Sequence, residues 1–219
     1  MDEVSALARP RQRGDGFRVR TAGDDDGRTR GGGMLRVGRF PRLTVSTPRL
    51  DVRLLTPTDA ADVDRVFTDR QTQRWLPMPA GHGAIDGLAW CTDLAQERRD
   101  SGAGDHYGVC RREDGRLVGC LWTKRTDWVA RSTEVAYAMS AASRGFGLAA
   151  EAVDALSIAL ILENGFQRVE LRIAPGNTAS RRVAEKAGFT YEGLLRNAGQ
   201  VHSGRVDLEL WSLVAADLR

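Results

Sequence analysis

Cysteine is scarce in this chain. Cys91, Cys110 and Cys120 are the only three in 219 residues. They are an odd number and lie far apart, with Cys110 and Cys120 in strand-like stretches joined by a turn. That pattern excludes a disulfide scaffold and reads as buried thiols in a reducing cytoplasm. Histidine is as thin: His82, His106 and His202 show no zinc spacing, so no metal is expected. Long apolar runs are missing too. The longest, A-L-S-I-A-L-I-L at Ala155–Leu162, is under half of the roughly 20 residues a membrane span needs. The start, M-D-E, has no apolar h-region, so neither a signal peptide nor a membrane partner is expected.

A basic signature is absent from most of the chain as well. The net charge is +3, from 32 Lys and Arg against 29 Asp and Glu. Residues 1–42 hold ten Arg and six acidic residues, a net of +4, which leaves 22 basic and 23 acidic residues, a net of −1, for the rest. Nucleic-acid binding is therefore not expected of the folded part, and only the Arg-rich tail keeps it open.

Residues 1–43 are rich in Gly, Arg and Asp, with D-D-D and G-G-G runs and few apolar residues. Such a stretch cannot bury enough surface to offset its ordering entropy, and we read it as a disordered tail. Met34 follows G-G-G directly. The expectation is that Met34 is the native start and residues 1–33 a mis-called upstream region, with a genuine basic arm as the alternative. An intact mass of the native protein decides between them.

What is present from residue 44 to 219 is one mixed α/β domain. The stretch 43–55 alternates as a strand, with Pro48 marking an edge or entry position. Helical spacing covers 56–67 and again about 84–100. Strand-like runs either side of Asp114-Gly115 predict a hairpin. Thr133–Ser140 reads as a strand, and about 147–163 as a long helix closed by Asn164-Gly165. A strand over 168–174, a helix over 177–187 and strands over about 189–196 and 205–214 complete the order β-α-α-β-β-β-α-β-α-β-β.

The loop before the long helix, S-R-G-F-G-L-A-A, is the strongest local signal. Free amides at a helix start, with the positive end of the helix dipole, attract an anion. Gly145 and Gly147 allow close approach, and Arg144 adds a cation. A diphosphate suits it; a glycine-softened helix entry that holds nothing is the bland alternative. A Walker loop is excluded, because Ala150 and Glu151 stand where it needs Lys and Ser/Thr. G-F-G-L-A-A formally matches a dinucleotide fingerprint, with Glu170 some 20 residues on. However, four residues separate strand from glycine, and too little chain follows for a second nucleotide-binding half. A dinucleotide-binding oxidoreductase stays as a weak alternative.

R-G-F-G-L-A at Arg144–Ala149 also resembles the Q/R-x-x-G-x-G/A pyrophosphate loop of the GNAT superfamily of N-acetyltransferases. T-E-V-A-Y-A-M-S (133–140) is similar to the strand before that loop, and A-P-G-N-T-A-S-R-R-V-A-E-K-A-G-F (174–189) to the N-x-x-S-x-x-V-x-E-K-x-G-F segment. Y-E-G-L-L-R (191–196), Gly204, D-L-E-L-W-S-L (207–213) and T-P-R-L-x-x-R (47–53) resemble the RimJ/RimL type, which acetylates ribosomal-protein N-termini. The resemblance spans about 44–215.

It implies a twisted, mostly antiparallel sheet, splayed between the strands flanking the central helix, with helices on both faces. It also implies acetyl-CoA as co-substrate. The backbone of Tyr137, Ala138, Met139 and Ser140 would bond the pantetheine arm. Arg144, Gly145, Phe146, Gly147, Leu148 and Ala149 would hold the pyrophosphate. Asn177 would contact the pantetheine or a nearby water, though a helix N-cap is its ordinary role. Ser180 would return a proton to the leaving thiolate or be idle. Glu134 would take the amine proton through water, or merely pair with an arginine. The acceptor would be a protein N-terminal α-amine or a small-molecule amine. A non-catalytic coenzyme A-binding or interaction module, and a homodimer, stay open. Two departures weaken ribosomal-protein specificity: Gly199 stands where many members carry Glu, and Trp211 where many carry Tyr. Among residues able to line an acceptor pocket are Trp75, Trp90, Trp122 and Trp128, with Trp128 the best placed for the surface.

Overall fold

The computed structural model describes residues 18–21, 38–76 and 85–218. The segment read as one strand over 43–55 is a hairpin: β1 to β3 are Arg18–Thr21, Leu43–Ser46 and Leu50–Leu54. Pro48 cannot donate to a ladder, so the chain turns there. Thr47 closes the turn, its Oγ1 accepting from the Leu50 amide at 2.9 Å. β1 pairs antiparallel with β2, Arg18 opposite Ser46 and Thr21 opposite Leu43. For residues 18–21 and 38–43 this differs from the disordered tail expected over 1–43; the rest of that tail lies outside the described residues. The unpaired backbone edge of β2 supplies the partner that R-V-R-T cannot find by itself. Phe40 is also buried, packed against Trp128 and Phe166. Met34 lies outside the described residues.

Four helices follow: α1 (Ala60–Thr68), α2 (Arg70–Trp75), α3 (Gly87–Cys91) and α4 (Asp93–Asp100). The single helix expected over 84–100 is broken at Thr92, whose backbone (φ −120°, ψ −96°) is not helical. β4 (His106–Arg111) and β5 (Leu117–Asp127) form the predicted hairpin, with Gly115 left-handed at φ 72°. β6 (Ser132–Met139) leads to α5 (Leu148–Asn164), capped by Gly165 in the left-handed region as its sequence position predicts. β7 (Arg168–Ile173), α6 (Thr178–Lys186), β8 (Thr190–Val201) and β9 (Gly204–Val214) end the fold.

The sheet order is β1-β2-β3-β4-β5-β6-β7-β9-β8. Every neighbouring pair is antiparallel except β6–β7. Alternation along the strands sends side chains to two cores. Val109, Leu121, Val135 and Leu171 join Val153, Leu156 and Leu160 of α5 on one face. Cys110, Cys120, Trp122 and Ala138 join Val63, Val66 and Phe67 of α1 and Cys91 of α3 on the other. The three thiols are free and buried. No helix among the described residues is long and apolar enough to cross a membrane.

In the second core His106 stacks on Trp90 at 3.8 Å, and its Nδ1 lies 2.9 Å from the Trp90 carbonyl oxygen, so Nδ1–H donates there. Burial pushes this imidazole down to about 4. The unfolded chain therefore binds a proton near pH 6.5 that the folded chain refuses. This residue's share of stability is full above that pH and falls as pH drops toward 4. Its loss between pH 7 and pH 5 is about 2 kcal/mol. NMR titration of the folded protein is expected to place this imidazole's midpoint near 4 rather than at the ordinary histidine value.

Candidate active site

The parallel ladder between β6 and β7 is short. Ser132, Thr133 and Glu134 pair with Arg168, Val169 and Glu170, and pairing stops there. From Val135 onward β6 keeps only β5, and from Leu171 onward β7 keeps only β9. A wedge opens in the middle of the sheet, with Glu134 and Glu170 at its apex and α5 beginning at its wide end.

At that wide end the chain makes a short turn over Ala141–Ser143. It then passes Gly145 (φ 86°) and Gly147 (φ 78°) before α5 starts. Both angles favour glycine. The first amides of an α-helix have no partner within the helix. Nothing stands over these two glycines: a Cβ on Gly145 would meet no atom within 4 Å, and one on Gly147 would meet only Arg49 Nη2, at 3.8 Å. The one carboxylate in the first turn, Glu151, is turned aside. Thr47 Oγ1 and Arg49 Nε each donate to it at 2.6 Å, and Arg49 Nη1 donates to the Phe146 carbonyl at 3.0 Å. The T-P-R turn thus braces the loop and neutralises the charge that would oppose an anion.

Arg144 is placed differently from the sequence expectation of a phosphate ligand. Its Nε and Nη2 donate to the Met139 carbonyl at 3.2 and 3.0 Å, Nη1 to Gln71 at 3.0 Å, and Nη2 also to Thr72 Oγ1 at 2.9 Å and to Asp69. Most of its fork is spent fastening α2 to the end of β6. Burial alone would raise the Asp69 carboxyl, but its bonds to Arg144 and the Thr72 amide hold it below the usual range. Two expected pantetheine contacts are also engaged. The Met139 carbonyl takes Arg144, and the Ser140 amide donates to Val118 at 2.9 Å. Of the other two, only Tyr137 turns its backbone to the open edge of β6, because Ala138, in phase with Ser140, faces its β5 partner Cys120.

Glu134 is buried between three cations: Lys124 Nζ at 3.0 Å, Arg125 Nε at 3.1 Å and Arg172 Nε at 3.7 Å. Strand alternation would send Lys124 and Arg125 to opposite faces. The ladder irregularity beyond Lys124, with Arg125 left-handed at φ 53°, turns Arg125 back to the carboxylate. The ion-pair role is the one this geometry displays. Glu170, the acid of the dinucleotide alternative, bonds Arg168 at 2.7 Å and Arg172 at 3.2 Å. Its mostly antiparallel sheet is not a nucleotide-binding parallel one.

Asn177 caps α6, its Oδ1 accepting from the Ser180 amide at 3.2 Å. Ser180 Oγ lies 2.6 Å from the Tyr137 hydroxyl. Burial pushes the Tyr137 phenol up, and the Ser180 bond opposes this only in part. The sequence reading used only the backbone of Tyr137; its side chain, which joins β6 to α6 beside the wedge, is the feature it missed. Trp128, expected nearest the surface, packs instead on Phe40 and Phe166 and donates to Gly102 at 2.9 Å. Trp90 and Trp122 belong to the α1–α3 core. Trp75 alone reaches the site: a Cβ on Gly176 would lie 3.2 Å from its ring. Since α2 is tied to β6 at one end and meets the turn between β7 and α6 at the other, it bridges the wide mouth of the wedge. Among the described residues no His, Cys, Asp and Glu cluster could hold a metal.

A family profile described as an acetyltransferase (GNAT) domain matches residues 49–190. The chain belongs to the GNAT acetyltransferases. This member is 28% identical over 167 residues to a putative ribosomal N-acetyltransferase, YdaF, of Bacillus subtilis, covering 75% of this chain and 91% of that one. It is 35% identical over 126 residues to an L-2,4-diaminobutyric acid acetyltransferase of Streptomyces avermitilis, 57% of this chain and 64% of that protein. Its fold is shared with Mycobacterium smegmatis RimJ solved with CoA-disulfide, at a TM-score of 0.67 and 24% identity over 77% of this chain and 83% of that one. The RimJ/RimL resemblance is in keeping with these relatives, and the GNAT chain is an acetyl-CoA-dependent N-acetyltransferase.

Proposed function

We propose that this enzyme moves the acetyl group of acetyl-CoA directly onto a primary amine inside the β6–β7 wedge. The acceptor is a protein N-terminal α-amine or a small-molecule amine. One observation carries the reading: the sheet opens beyond Glu134 and Glu170, and the bare amide end of α5 stands at the opening. The amides of Phe146, Gly147, Leu148 and Ala149 hold the pyrophosphate. The open edge of β6 at Tyr137 holds the pantetheine and its thioester. Arg144 acts indirectly, by fixing α2 and the end of β6.

The amine nitrogen attacks the thioester carbon. The C–N bond forms, the C–S bond breaks, and the ammonium proton leaves to solvent water. With Glu134 held among three cations, the site suits an amine that is already partly neutral. An α-amino group near 7.7–8.0 meets that condition; a lysine near 10.4 would need about 3–4 kcal/mol more. Ser180 donates its proton to the departing thiolate, the Tyr137 hydroxyl 2.6 Å away passes its own proton to Ser180, and the proton shed by the ammonium returns to Tyr137 through water. General-acid help of this kind contributes about 100-fold or more.

The test is thiol release from acetyl-CoA across peptides, polyamines and aminoglycosides, with coenzyme affinity measured alongside. Ser180→Ala is expected to lower kcat by about 100-fold and Tyr137→Phe by about tenfold, both with coenzyme affinity retained. Full kcat in Ser180→Ala would remove Ser180 from the chemistry. Coenzyme binding without thiol release from any amine would leave a coenzyme-binding module.

A further inference from the structure

Beside the wedge mouth lies a pocket of about 300 Å³, lined by Arg70, Gln73 and Arg74 of α2 and by His202 and Ser203 of the β8–β9 turn. The i, i+3, i+4 spacing puts the three α2 residues on one face. The lining holds two guanidiniums, an imidazole, an amide and a hydroxyl, and no carboxylate. Neither Arg70 nor Arg74 forms an ion pair among the described residues. By contrast Arg49, Arg144, Arg168, Arg172 and Arg181, which also surround the site, each pair with an acid. Arg74 is held over the Trp75 ring at 5.0 Å, which restrains it. Trp75 in turn packs on Gly176, next to the Asn177 cap and one helical turn from Ser180. The distal half of the β8–β9 hairpin leaves the plain ladder at the Leu195–Gly199 irregularity, with Asn197 left-handed at φ 52°, and its tip reaches α2.

From this placement we infer that the pocket is an acceptor subsite for an anion: the physiological amine carries a carboxylate set back from its nitrogen. The inference rests on the wedge being the place of acetyl delivery. Two guanidiniums that have no acid paired with them among the described residues match a carboxylate's planar fork, and Gln73 and Ser203 add neutral donors. The same charges disfavour polyamines and aminoglycosides, which would bring like charge against them. A peptide whose acidic residues follow its N-terminus presents this chemistry with a low-pKa amine; a free diamino acid presents it with an alkyl amine that must first lose its proton.

Matched acceptors differing only in that charge test it. One pair is 2,4-diaminobutyrate and 1,3-diaminopropane; the other is an N-terminal peptide beginning Ser-Asp-Asp and its Ser-Asn-Asn counterpart. In at least one pair, kcat/KM is expected to be tenfold or more higher for the acid-bearing member. The preference should shrink as salt rises from 0.05 to 0.5 M, and the pair that shows it names the source. Arg70→Ala with Arg74→Ala should erase the preference, chiefly through KM. Arg70→Lys with Arg74→Lys should keep only part of it, since lysine retains the charge and loses the fork.

Equal rates within both pairs would overturn the inference. So would a double-alanine variant whose main loss is coenzyme A affinity, since that would give the pocket to a coenzyme phosphate. If no amine of any charge releases thiol, it is the acetyl-transfer reading that fails. If the alanine variant does not fold, the wild-type pairs at two salt concentrations still decide.

Discussion

Gly147→Asp is expected to weaken coenzyme A binding by about 100-fold, a loss of roughly 2.7 kcal/mol. Two effects act together. At φ 78° any L-residue carries strain, of about 1–2 kcal/mol. The new carboxylate would also stand over the amide end of α5, against the phosphates it is meant to receive. It would lie near Arg49, 3.8 Å from the Cβ position, and draw that guanidinium away from Glu151. Gly147→Ala separates strain from charge: it keeps the first effect and lacks the second, so a loss nearer tenfold is expected. Calorimetric titration with coenzyme A reads both. Unchanged affinity in Gly147→Asp would show that these amides do not hold the phosphates, and the account of the wedge would lose its anchor.

The parts of this site that could be read from sequence are those whose cause is local. The loop before α5 announces itself because left-handed backbone selects glycine, and Gly165 marks the helix end for the same reason. The Asp114-Gly115 turn is equally local, and β7 alternates between buried and half-buried residues along its length. What stayed illegible depends on partners distant in sequence. R-Q-T-Q-R-W has no apolar period. It is helical because Asp69 caps it and Arg144, some 70 residues away, pins it. Arg144 looked like a phosphate ligand because its role as a brace depends on Asp69, Gln71 and Thr72. The cations around Glu134 come from β5 and β7 and meet only when the sheet forms. The pocket on α2 needs the far tip of the last hairpin, so no single stretch of sequence contains it.

The largest stability effect is expected at a buried pair only six residues apart in sequence, Arg99 and Asp105. Arg99 Nε and Nη2 donate to the two Asp105 oxygens at 2.6 and 2.9 Å, and the His106 amide donates to Asp105 at 2.8 Å. The Asp105 side chain is fully buried and that of Arg99 is only 10% exposed. The pair fastens the end of α4 to the start of β4, where the Asp105 amide also donates to Thr123 Oγ1 at 2.8 Å. Asp105→Ala removes the anion and leaves a guanidinium buried without a partner, which costs about 3–5 kcal/mol. In a domain of this size that lowers the melting temperature by about 10–15 °C. Coulomb attraction alone does not set this figure; the desolvation of the remaining charge does. Arg99→Met with Asp105→Leu, which removes both charges and keeps the volume, is therefore expected to melt well above Asp105→Ala. Thermal unfolding of the three proteins checks the order. Should the double variant melt at or below the single one, the pair's own attraction, rather than the stranded charge, would be what holds α4 against the sheet.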